Sequence, residues 1–351
     1  MQKERFQLLH LFRALATLLI VLHHVNIMAA KNYGVHLLPN AFDKSDFRVD
    51  FLFVLSGFII TWLYADKCGG AGQGGVFLQK RLTRVYPLLF TLTSLKLLFL
   101  LLVPAGRLLH ETISLKLVLT SYLMLPTDGY PLILGAWIMP FEVCFYVLFA
   151  IAISTNARVV FIACLLWTIE IVGFHLGGFA ESYSVVPFFM SMRHVQIMGG
   201  VVTALWLRQH PSARWTHPLL ITSSLLFAIG FTFGEELQET SKLIRRGWWL
   251  VTFASLIAGC VLLEKQFSKP LRLWSWLNSL ADSSYSIFLT HSPLLLLGLK
   301  GLHQIHALSG PLHYLWMLGL AVLATLIGVS CHYWLEKPLI GWLKSAGHRG
   351  H

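Results

Sequence analysis

Apolar stretches of about 18 or more residues recur along this chain, and no other feature narrows its fold as much. Each is long enough to cross the hydrocarbon core of a bilayer, roughly 30 Å thick, as a helix. Ten such spans are read, roughly 8–28, 48–66, 85–105, 136–154, 158–176, 186–207, 218–234, 247–264, 283–300 and 312–335. The segment Ser114–Pro126 is apolar but short, and the turn-rich Thr127-Asp128-Gly129-Tyr130-Pro131 follows it. It reads as a re-entrant or interfacial helix. The expected fold is therefore all-α, a polytopic transmembrane helical bundle. It forms one integral-membrane domain over residues 1–351, with no internal repeat and no separate soluble domain.

Composition agrees. Hydrophobic residues make up 56% of the chain and charged residues 12%, with mean hydropathy +0.67. A soluble domain carries about 25% charged residues, so too little polar surface exists here to coat a water-facing globule. Twelve Trp and ten Tyr suit interfacial belts. The net charge of +11 argues for cations that anchor cytoplasmic loops and face membrane lipids, not for nucleic acid. The five cysteines, Cys68, Cys144, Cys164, Cys260 and Cys331, are scattered and lack any CxxC, so neither disulfides nor a metal site is expected. The first apolar segment holds Arg13, His23 and His24 and lacks a clear cleavage site, so it reads as a retained span. Placing both termini in the cytoplasm puts the larger share of Lys and Arg inside, among them Lys3, Arg5, Lys80, Lys269, Arg272, Lys337 and Arg349.

Ionisable groups inside a span are costly and face a cavity or the bundle interior. Arg13 and His24 lie eleven residues apart, close to three helical turns, on nearly one face and about 16 Å apart along the axis. His23 is rotated away by about 100°. In span two, Asp50 stands at the outer end and Ser56-Gly57 in the middle, where close helix packing competes with a functional role. Arg81 and Arg84 are neighbours on a helix face at the cytoplasmic start of span three. They suit either topological anchoring or multidentate binding of phosphate oxygens. Glu142 in span four and His291 in span nine both imply partners, structural or catalytic. The glycine run Gly69-Gly70-Ala71-Gly72-Gln73-Gly74-Gly75 reads as a flexible linker.

In order along the chain stand Arg13-x10-His24, VDFLFVLSGF from Val49, Arg81-x2-Arg84 before Tyr86-Pro87, and Trp137-x4-Glu142-x2-Phe145-Tyr146. Then come Ser284-Tyr285-Ser286-x-Phe288-Leu289-x-His291 and Glu336-Lys337-Pro338. With these motifs the chain, from Leu11 to about Leu343, resembles the membrane-bound acyltransferase 3 family, which O-acylates exported or surface sugars in bacteria. It departs from the family's lettering at Leu52, where Phe is usual, at Ile138-Met139-Pro140, where a Ser-Leu-Ser type of stretch is usual, and at Phe288, where Tyr is usual.

The resemblance implies an O-acyltransferase of the bacterial inner membrane. It takes acyl-CoA, acetyl-CoA by default, from the cytoplasm and uses no bound cofactor. Arg81 and Arg84 would grip CoA phosphates. His24 would act as general base on the acceptor hydroxyl, or otherwise handle the acyl group in transit. Arg13 would stabilise the thioester oxygen or a CoA phosphate. Asp50, Ser56, Glu142, Tyr285 and His291 would support them. The acceptor would be a saccharide, possibly lipid-linked; its identity stays open. Many relatives carry a C-terminal esterase-like domain, and this chain, stopping soon after span ten, is expected to work alone. A secondary transporter is the rival reading, against which the sequence shows no pair of matching halves.

Overall fold

The computed structural model describes residues 6–38, 47–68, 70, 72–102, 113–126, 129–178, 185–267 and 275–348. Lys3, Arg5, Lys269, Arg272 and Arg349 of the charge argument, Gly69 and Ala71 of the glycine run, and Thr127 and Asp128 of the turn lie outside the described residues. The described secondary structure is entirely helical. In chain order the helices are α1 (Gln7–Tyr33), α2 (Phe47–Tyr64), α3 (Gln73–Leu102), α4 (Leu115–Leu123), α5 (Met139–Ser154), α6 (Ala157–Leu176), α7 (Val185–Phe189) and α8 (Met192–Gln209). They continue with α9 (Thr216–Thr232), α10 (Gly234–Glu239), α11 (Lys242–Glu264), α12 (Ser275–Asp282), α13 (Ser284–Gln304), α14 (His313–Cys331) and α15 (Lys337–His348).

Among the described residues, nine helical stretches are long and apolar enough to cross a membrane. They correspond to nine of the ten expected spans. The remaining one, α13, has 21 residues and a length of about 32 Å at 1.5 Å per residue, enough to cross. Its polar run, which includes Ser286, Thr290, His291 and Ser292, keeps it out of the apolar set, and all four residues are buried. It packs against α1 and α14 in the middle of the bundle. The apolar surplus points outward instead: Ile162, Leu166 and Ile169 of α6 and Leu323 and Leu326 of α14 are exposed, as suits a surface solvated by lipid. This is a multi-pass membrane protein.

Three elements differ from the sequence reading. The glycine run is only partly a linker, because α3 begins at Gln73 and takes Gly74 and Gly75 into a helix of 30 residues. A Cβ on Gly74 would stand 2.1 Å from the Ala150 carbonyl oxygen, so glycine lets α3 touch α5 there. Span six is broken into α7 and α8 at Met190 and Ser191, where the Ser191 hydroxyl accepts from the Arg193 amide. Span ten does not stop at 335. A π-helical turn over His332–Glu336 leads into α15. The short helix α4, nine residues capped by Ser114, is about 14 Å long and does not span.

The crossing of α2 and α8 is the tightest in the bundle. A Cβ on Gly57 would lie 2.0 Å from the Ile197 carbonyl oxygen, and one on Gly200 would lie 2.0 Å from that of Val54. Each glycine lets the other helix's backbone approach, as small residues do between membrane helices. The sequence left Ser56-Gly57 open between packing and function. Gly57 serves packing, and Ser56, one residue back, faces α5.

The start of α1 and the whole of α15 lie at one end of the bundle. The amides of Gln7 and Leu8 donate to the Glu264 carboxylate at the end of α11. Phe6 meets Trp62 edge-on at the end of α2, with ring centroids 5.5 Å apart. Tyr64 and Lys67 just beyond share a cavity with Lys337 and Lys344.

Candidate active site

Two cavities meet at Arg81 and Arg84, which line both. The larger, about 940 Å³, opens at the end that carries α15. Lys67, Lys80, Arg81, Arg84, Lys337 and Lys344 line it, against two carboxylates, Asp282 and Glu336. Glu336 is already engaged, because its Oε2 accepts from Ser286 Oγ at 2.5 Å and stands 2.7 Å from His332 Nδ1. The cavity is therefore strongly cationic. Arg81 lies over the rings of Tyr64 and Phe77, at 5.2 Å and 5.5 Å from their centroids, which fixes the plane of its guanidinium. Neither Arg81 nor Arg84 forms an ion pair among the described residues.

The smaller cavity, about 210 Å³, continues inward from the arginine pair. Its polar wall includes Arg13, Thr17, Ser56, Glu142, Tyr146 and Tyr285. Ser56 Oγ donates to Glu142 Oε2 at 2.7 Å, so α2 and α5 are joined across the chamber. Glu142 sits in the first turn of α5, where the helix dipole favours a carboxylate. Tyr146, one turn further, and Arg81 both act on the same carboxylate. Arg13 donates from an Nη to the Ala281 carbonyl at 2.5 Å and lies 3.9 Å from Asp282. It lines the inner chamber and not the larger cavity. The apolar part of its lining comes from Leu52, Leu55, Ile59, Ile60, Ile138, Met139 and Phe288.

His24 lies beyond the chamber, seven residues past Thr17 on α1. Its Nδ1 is 2.9 Å from the Ile20 carbonyl oxygen, one turn back, and must carry the proton to make that bond. His291 makes the equivalent bond from its Nδ1 to the Ile287 carbonyl at 3.0 Å. His291 Nε2 is then an acceptor, 3.3 Å from His24 Nδ1. The two rings are 4.8 Å apart, and Phe288, on the chamber wall, lies 5.8 Å from the His291 ring. This network leaves the lone pair on His24 Nε2, and no described residue hydrogen-bonds that atom. The ring of His23 contacts His24 edge-on at 5.5 Å and takes no part in the pairing with His291.

A membrane-embedded cationic cavity joined to a small chamber with a carboxylate and a histidine behind it suits group transfer better than solute passage. The family model described as an acyltransferase domain, acyltransferase 3, matches residues 7–334. The chain belongs to the acyltransferase 3 family. It is an acyltransferase, and the transporter reading gives way to that assignment. It is 26% identical over 306 residues to the exopolysaccharide production protein ExoZ of Rhizobium meliloti (strain 1021), a match covering 83% of this chain and 88% of that protein. No solved structure matches the chain.

The acyltransferase places most of the motif residues around the two cavities, but not all. Arg13, Ser56, Arg81, Arg84, Glu142 and Tyr285 converge on the inner chamber. Tyr285 also ties α13 to α3, donating to the Val85 carbonyl at 2.8 Å. Asp50 does not join them. It accepts from Arg246 Nη1 at 2.7 Å, with both side chains buried, and so links the start of α2 to the start of α11. Trp137 lies under the buried Arg193, whose guanidinium carbon is 4.7 Å from the ring centroid. Sequence reasoning missed Arg246, Arg193 and His332. A partner 196 residues away gives Arg246 no local signal. The i, i+4 spacing of His332 and Glu336 beside Glu336-Lys337-Pro338 was a usable one.

Proposed function

We propose that this acyltransferase takes its acyl group from a coenzyme A thioester and esterifies a hydroxyl of a surface, exported or lipid-linked saccharide. The observation that carries the reading is the union of the two cavities at Arg81 and Arg84. A cationic cavity of about 940 Å³ suits the phosphates of CoA, and the narrower chamber suits the thioester end. Guanidinium pairs bind phosphate oxygens in fixed, multidentate geometry. Arg13 lines only the inner chamber and lies about 16 Å along α1 from His24, so it is assigned to the donor's arm between the phosphates and the thioester, and not to the carbonyl that His24 serves.

In this reading His24 Nε2 accepts the proton of the acceptor hydroxyl as the oxygen attacks the thioester carbonyl carbon. The C–O bond forms, the C–S bond breaks, and the proton passes from His24 to the departing sulfur. The products are the sugar ester and CoA thiol. Imidazole suits the task because its pKa lies near neutrality. His291 holds the ring in the tautomer that leaves Nε2 basic. The name of the similar Rhizobium protein makes an exopolysaccharide the first acceptor to test, and the family resemblance alone implies acetyl. Because CoA is cytoplasmic, the cationic end faces the cytoplasm, with both termini, in an inner membrane. Nine apolar spans plus α13 give the even number this orientation needs.

The test is binding and turnover of labelled acyl-CoA by the purified protein in detergent, with mass spectrometry of ester-linked acyl groups on surface glycans of a deletion strain. Acyl-CoA binding and loss of one ester are expected. Absence of binding, or an unchanged ester profile, contradicts the reading.

A further inference from the structure

The inner chamber is larger and more apolar than an acetyl group requires. Its volume is about 210 Å³. A cavity of about 150 Å³ lined by Leu, Ile and Phe accommodates a benzene molecule. Leu52, Leu55, Ile59, Met139 and Phe288 are among the chamber's lining residues. An acetyl methyl would leave much of this wall without contact. Lining atoms that face a void lose dispersion contacts.

Of the places where the chain departs from the motif lettering, Leu52, Ile138, Met139 and Phe288 line this chamber, and Pro140 does not. Phe288 lines the chamber, and its ring stands 5.8 Å from that of His291, which pairs with His24.

We infer that this acyltransferase selects a short-chain alkyl acyl group larger than acetyl, with Leu52, Ile59, Met139 and Phe288 as the residues that set its size. The inference rests on the CoA-thioester reading above, since the chamber continues from the arginine pair that would hold the donor.

The experiment is displacement of radiolabelled CoA from the full-length protein in detergent by CoA, acetyl-CoA, propionyl-CoA, butyryl-CoA and succinyl-CoA. Each buried methylene contributes roughly a fourfold gain in affinity. Butyryl-CoA is expected to bind at least about tenfold tighter than acetyl-CoA, with propionyl-CoA between them. Leu52→Phe and Ile59→Phe, two half-buried positions on α2, should each reduce the butyryl-to-acetyl ratio toward one. Unacylated CoA in the same preparation serves as the reference for a folded donor site. Equal binding of acetyl- and butyryl-CoA, tighter acetyl-CoA, or tightest succinyl-CoA would overturn the inference and leave the CoA reading intact. If labelled CoA itself does not bind, the donor reading fails and the inference falls with it.

Discussion

The two ends of the bundle use arginine in opposite ways. At one end Arg246 is 4% exposed and Asp50 is 2% exposed, held together at 2.7 Å between α11 and α2. At the other, Arg81 and Arg84 line a cavity of about 940 Å³ that has more cations than carboxylates. A buried guanidinium with its carboxylate fully engaged has little capacity left for a ligand. A guanidinium whose plane is fixed by Tyr64 and Phe77 but which has no ion partner among the described residues is prepared to accept one. Residue type alone does not separate scaffold from site; the distribution of opposite charge does.

The largest effect should come from breaking the buried pair. Removing one partner of such a pair costs about 3–5 kcal/mol, because it leaves a buried charge uncompensated. Arg246→Ala should therefore lower the yield and thermal stability of the protein in detergent, whether or not CoA is present. A stable Arg246→Ala protein that has lost only CoA affinity would reverse the assignment of the two ends.

The second effect is selective. In the Arg81→Ala, Arg84→Ala double variant, charge-assisted contacts of about 1.5–3 kcal/mol each are removed. Acyl-CoA binding should weaken by about a hundredfold or more, with little change in melting temperature. Unchanged affinity in a folded double variant would reduce the pair to topological anchors.

The smallest effect belongs to the rim. Lys344 on α15 is exposed and lines the same cavity. An exposed charge contributes about 0.2–1 kcal/mol, so Lys344→Ala should weaken acyl-CoA binding by only about two- to fivefold. That loss should disappear near 1 M salt, where the Debye length falls to about 3 Å. A larger, salt-insensitive loss would move Lys344 into the site proper.

Helical period and apolar length made the bundle legible. Arg13, Arg81 and Arg84 line one chamber, and His24 lies beyond it on α1. What stayed hidden were long-range pairings. His291 carried a polar signal in span nine, but its contact with His24, 267 positions away, depends on how α1 packs on α13. Asp50 was grouped with the site because it is an intramembrane acid, and only the position of α11 shows that its partner is Arg246. The start of α3 was hidden by its glycines, which favour a linker locally. Contact with the Ala150 carbonyl on α5 overrides that preference at Gly74.

The most direct test of the central claim compares His24→Ala with His23→Ala at matched expression, measuring acyl transfer to the native glycan. General-base catalysis contributes about 10²–10⁴-fold. His24→Ala should lose activity by at least that order while membrane insertion and CoA binding persist, and His23→Ala should keep substantial activity. An active His24→Ala protein beside an inactive His23→Ala one would contradict the account, because the ring paired with His291 would then not be the one that performs the transfer.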